Sequence, residues 1–133
     1  MKLNEVRQMK SLALAYMGDA IYEVHVRNYL IRHHYAKVND LHQAAIKYVS
    51  AKAQAKVLRE WLDSGILDEE ELSIVRRGRN AKAGSVPKNT DVMTYRYSTA
   101  FEALLGFLYY AKYEQRLQEL MQLAINSVEK GRQ

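Results

Sequence analysis

Leu12 to Val26 (Leu-Ala-Leu-Ala-Tyr-Met-Gly-Asp-Ala-Ile-Tyr-Glu-Val-His-Val) is a mostly apolar stretch at helical spacing with a carboxylate, Asp19, at its middle. An anion there constrains the fold, because a buried unpaired carboxylate must be neutralised, hydrogen-bonded or bound to a cation. Ala100 to Leu108 (Ala-Phe-Glu-Ala-Leu-Leu-Gly-Phe-Leu) poses the same problem with Glu102. Gly18 precedes Asp19, and Gly106 follows Glu102 by four residues, one turn along the same helix face. Glycine removes the side chain that holds two helices apart, so a crossing at these positions brings both carboxylates to one point. Glu23, four residues after Asp19, shares its face and reaches the same place directly or through water. Oxygen donors of this kind suit Mg²⁺, with Mn²⁺ as a substitute, and leave room for water and a substrate phosphate. Structural readings of the same residues stand beside this one: Asp19 as an N-cap after Gly18, Glu102 paired with Arg96 or Arg27, and Glu23 paired with Arg27.

The rest of the chain is expected to be helical. One proline and six glycines in 133 residues, with no alternating strand pattern, favour an all-α helical bundle of one domain, residues 1–133. A 48% apolar composition can bury one core. With no cysteine, disulfides and thiolate metal sites are excluded, in keeping with a reducing compartment. No signal peptide is evident, and no run approaches the roughly 18 apolar residues of a membrane span, so a cytoplasmic protein without a membrane partner is expected.

In order, Ser11 caps a helix to about His34, loosened or broken at Gly18. Asn39 or Asp40 caps a helix from Leu41 to about Val49, and Ser50 caps another from Ala51 to Asp63, closed by Ser64 and Gly65. Asp68 and Glu71 form a capping box opening a helix to about Gly78. Asn80 to Thr90 has no hydrophobic period and carries Gly84, Ser85, Pro87 and Asn89, which predicts a long exposed loop. Asp91 caps the helix bearing Glu102, to about Lys112, and a last helix spans Glu114 to about Glu129.

The net charge of +5 is concentrated between Glu71 and Asp91, where Arg76, Arg77, Arg79, Lys82 and Lys88 meet no acid. Such a helix end and loop can neutralise nucleic-acid phosphates; cations favouring a helix C-terminus and a solvated loop explain the same pattern. His25, His33, His34 and His42 lack zinc-ligand spacing, and Arg77 to Gly84 lacks the spacing of an ATP-binding loop. Tyr95, Tyr97, Tyr109, Tyr110 and Tyr113 read as packing residues.

Tyr16-Met17-Gly18-Asp19-Ala20 resembles the signature of the ribonuclease III family, Glu-x-Leu-Gly-Asp-Ala, and Phe101-Glu102-Ala103-Leu104-Leu105-Gly106 resembles its second acidic motif. With Lys47 to Ala55, Arg77 to Lys82, Pro87 to Asp91 and Tyr95 to Thr99, the likeness extends over nearly the whole chain and is closest to the Mini-III branch, which lacks a double-stranded-RNA-binding domain. The resemblance implies an all-helical endonuclease domain that acts as a homodimer and cuts double-stranded RNA with Mg²⁺, leaving 5′-phosphate and 3′-hydroxyl ends. It implies maturation of large-subunit (23S) ribosomal RNA precursor, with a ribosomal protein as helper. Asp19 and Glu102 fall on the critical acidic positions, and Tyr16 falls where an aromatic residue joins the subunits. Two further family acids are replaced here by Ala15 and Thr99, and Glu23 is the expected substitute. Two rivals are a non-catalytic double-stranded-RNA-binding protein on the same scaffold and a dimeric helical DNA-binding regulator.

Overall fold

The structure, a computed structural model, describes residues 1–33, 37–82 and 86–131. Its central element is α6 (Val92–Tyr110), opened by Asp91, whose carboxylate accepts from the Thr94 amide at 2.9 Å and the Thr94 hydroxyl at 2.6 Å. Ser98 to Phe101 and Ala103 to Leu108 of α6 are buried, so this helix is covered on every side. Around it stand α1 (Leu3–Gln8), α2 (Ser11–His33), α4 (Ala51–Ser64), α5 (Glu69–Asn80) and α7 (Glu114–Lys130), while α3 (Val38–Val49) packs on α2. The described residues hold no strand, and no helix among them is long and apolar enough to cross a membrane.

Phe101 fixes the rotation of α6. Its ring meets Tyr22 of α2 edge-on at 5.0 Å and stacks on Trp61 of α4 at 5.4 Å, which sets the direction of the neighbouring Glu102. The crossing of α2 and α6 is closer still. A Cβ added to Gly18 would stand 1.7 Å from the Glu102 carbonyl oxygen, and one added to Gly106 would stand 2.0 Å from the Leu14 carbonyl oxygen. Rising numbers on α2 meet falling numbers on α6, so the helices cross antiparallel with backbone against backbone.

Several boundaries differ from expectation. Gly18 neither loosens nor breaks α2, which runs unbroken through it, because the glycine serves the crossing and the helix is held by packing on both sides. Ser11 is the first helical residue instead of a preceding cap. Helix α3 begins at Val38, ahead of Asn39 and Asp40, with Lys37 at its N-cap and no side-chain cap there. The polar N-terminus forms α1, whose Val6 is fully buried; the Arg77 guanidinium closes its end by donating to the Arg7 carbonyl at 2.9 Å and the Met9 carbonyl at 2.7 Å. The caps at Ser50 and Asp68 and the left-handed stop at Gly65 (φ 69°) are as expected. Of the predicted loop, Ala81, Lys82 and residues 86–90 are described, with a turn from Pro87 to Thr90; Gly84 and Ser85, like His34, lie outside the described residues.

Gly18→Ala tests the crossing. In an open helix this change adds about 1 kcal/mol of stability through propensity; here the methyl must displace the α6 backbone, and overpacking by about 2 kcal/mol or more should prevail. Urea denaturation is expected to show net destabilisation, and equal or greater stability would contradict so close a crossing.

Candidate active site

The crossing brings the two predicted acids together. Glu102, on α6 directly against Gly18, lies within hydrogen-bonding reach of the carboxylate of Asp19, on α2. Burial first, and then the hydrogen bond and charge of Asp19, push the Glu102 carboxyl up from 4.5 to about 9, against a weaker opposing effect of Gln54. At neutral pH the Glu102 carboxyl therefore keeps its proton. Asp19 sits in mid-helix and is no N-cap, and no ion pair joins Glu102 to Arg96 or Arg27.

The carboxyl of Glu102 has one further partner. Gln54 of α4, which is buried, donates from Nε2 to Glu102 Oε2 at 3.4 Å, and its Oε1 accepts from the buried Ser98 hydroxyl at 2.7 Å. Neither residue was singled out from sequence. The available signal was a glutamine in register with Leu58 and Trp61 on the core face of α4, and a serine one turn before Glu102.

Glu23 takes the structural alternative: its Oε2 accepts from Arg27 Nε at 3.0 Å, one turn along α2. Thr99 donates its hydroxyl to the Tyr95 carbonyl at 3.0 Å, and Ala15 is buried. Among the described residues no three histidine, aspartate or glutamate side chains gather to hold a metal ion, so the protein offers two carboxylates, Asp19 and Glu102. That donor set fits a divalent cation that keeps several waters, since positive charge beside the two carboxylates would offset their repulsion.

The basic residues divide by role. Arg77 is bound to the end of α1, and Arg79 lies over the Tyr97 ring at 5.7 Å, a ring that Arg59 also meets at 4.6 Å. Arg76 and Lys82, with Lys10 and Arg77, line an open cleft of about 550 Å³ that contains no acid. Lys88 is exposed in the turn before α6, and Tyr16 is 81% exposed on α2.

The family pattern of the ribonuclease III domain matches residues 12–113, a span that holds both acids and their crossing. The chain belongs to the ribonuclease III family and is an endoribonuclease. Its relatives fall in the Mini-III branch. It is 46% identical to Mini-ribonuclease 3 of Enterococcus faecalis over 126 residues, covering 95% of this chain and 96% of the relative. It is 52% identical to Mini-ribonuclease 3 of Brevibacillus brevis over 118 residues, covering 89% and 87%. The crystal structure of a protein from Fusobacterium nucleatum superposes with a TM-score of 0.81 at 31% identity, covering 92% of this chain and 97% of that one.

The raised Glu102 has a measurable consequence. A carboxyl ionising near 4.5 when unfolded and near 9 when folded makes the folded state bind the extra proton between those values. Without divalent cations, stability should thus fall as pH rises from 6 to 8, by up to about 1.4 kcal/mol per pH unit. In EDTA, Glu102→Gln is expected to flatten that fall in denaturant titrations, and an unchanged slope would contradict the raised Glu102 carboxyl.

Proposed function

We propose that this protein is a Mg²⁺-dependent endoribonuclease that cleaves double-stranded RNA as a homodimer and matures the ends of 23S ribosomal RNA precursor in the cytoplasm, with a ribosomal protein as helper. The observation that carries the nuclease chemistry is the Asp19–Glu102 pair, two acids forced together by a crossing that admits no side chain between them. A non-catalytic RNA-binding scaffold would have no use for that electrostatic cost.

Asp19 and Glu102 would hold Mg²⁺, which when bound activates the attacking water and neutralises charge on the scissile phosphate, leaving 5′-phosphate and 3′-hydroxyl ends. Asp19 is the exposed member of the pair and faces the substrate side, while partly buried Glu102 is fixed from behind by Phe101 packing. Tyr16 and Leu12, both exposed and one turn apart on α2, supply an apolar face suited to a second copy of the chain. Two-fold symmetry then sets two such sites across one A-form duplex, one for each strand. Arg76, Lys82 and Lys88 are the cations left free to meet phosphates, which they read by position and groove shape.

Asp19→Asn is expected to lower cleavage of duplex RNA by about a thousandfold or more, the loss of several kcal/mol of metal-derived stabilisation. A gel-shift assay should still show RNA bound, and near-normal turnover would reject the site. Changing Arg76, Lys82 and Lys88 together to glutamine should reduce the slope of log affinity against log salt by about two to three. Arg77→Gln should instead lower thermal stability, and an unchanged salt slope in the triple variant would remove those side chains from the RNA-binding surface.

A further inference from the structure

Gln54 is 1% exposed on a helix face otherwise given to Ala55, Leu58 and Trp61. A buried amide is costly unless its oxygen and its nitrogen both find partners. Here Ser98 Oγ donates to the amide oxygen at 2.7 Å, and Nε2 donates to Glu102 Oε2 at 3.4 Å. With the oxygen bound to the Ser98 hydroxyl, the NH₂ end faces the carboxyl, which accepts from it. Ser98 and Glu102 lie one turn apart on α6, so both ends of the amide are pinned to the helix that carries the acid. Ser98 is itself 7% exposed and cannot trade this bond for water.

We propose that Gln54, oriented by Ser98, is a positioning residue for a divalent cation: it holds Oε2 of ionised Glu102 and leaves the other carboxylate oxygen, with Asp19, for the ion. The inference rests on the two-acid reading of the site above. A neutral donor suits this task. A lysine would neutralise Glu102 and compete with the cation, and a third carboxylate would add repulsion in a half-buried place. Glu23 and Thr99 are occupied elsewhere, which leaves the amide as the support of Glu102 from α4.

The test is direct Mn²⁺ binding, read as loss of the free-ion electron paramagnetic resonance signal without RNA, well below the melting temperature of each variant. Gln54→Met, close in size but without a donor, is expected to weaken Mn²⁺ binding about tenfold or more, as loss of a metal ligand's supporting hydrogen bond does. Ser98→Ala should reproduce part of that loss, and adding it to Gln54→Met should cost nothing further, because Ser98 acts only through the amide. Thermal melts record packing losses separately. If Gln54→Met does not fold, Ser98→Ala decides alone: weakened binding supports the role and unchanged binding overturns it. Unchanged affinity in Gln54→Met, with binding lost in Asp19→Asn, overturns the positioning role and spares the two-acid site. Binding that survives Asp19→Asn overturns both, and an extra loss in the double variant overturns the relay from Ser98.

Discussion

The close approach of α2 to α6 governs everything else in this domain. Helices normally stand 8–10 Å apart on their side chains; here Gly18 touches the Glu102 carbonyl and Gly106 touches the Leu14 carbonyl, a reciprocal contact repeated after one turn on each helix. Two glycines four residues from Leu14 and Glu102 set the register as well as the distance. A slip along either helix would drive a side chain into the opposing backbone. The carboxyls of Asp19 and Glu102 are carried into reach of one another by this register, independently of any attraction between them.

Two acids so placed repel one another when both are ionised, and their surroundings contain that cost. Burial and Asp19 raise the Glu102 carboxyl, Asp19 stays exposed, and Gln54 offers a donor without adding charge. The stabilising half of the account lies nearby in the Tyr22–Phe101–Trp61 contacts, which tie α2, α6 and α4 together beside the site. Glu71, which is buried outright, shows the opposite solution. Burial raises its carboxyl, but paired hydrogen bonds from Arg116 at 2.8 Å, with the Asp68 amide, outweigh that and hold it below the usual range. Glu71 is thus satisfied by a fixed cation and serves the fold. Partly buried Glu102 has no such cation beside it, which is why the proposed mechanism assigns it a divalent ion.

Much of this was legible in the residues. Ser50, Asp68 with Glu71, Gly65 and Asp91 mark helix ends through local hydrogen bonds and backbone preference, and these operate before any tertiary contact exists. The acids and their flanking glycines were likewise readable as a crossing. What escaped depends on contacts distant in sequence. Helix α1 is short, with only Leu3 and buried Val6 apolar, and its end is held by Arg77, some seventy positions away. Gly18 looks like a helix breaker by propensity, yet packing on both sides of it outweighs a deficit of about 1 kcal/mol. The run from Arg76 to Lys88 reads as one basic surface, but Arg77 turns inward to cap α1 and Arg79 lies on Tyr97. Gln54 could not be assigned, because which face of α4 is buried is settled only when α6 docks against it.

Anomalous diffraction from Mn²⁺-soaked crystals tests most directly the claim that Asp19 and Glu102 act on one ion. The account predicts a single strong peak at the crossing, with a carboxylate oxygen from each residue about 2.2 Å away and the remaining positions filled by water. An ion bound to only one of the two, or a peak at some other place with the crossing empty, would contradict it.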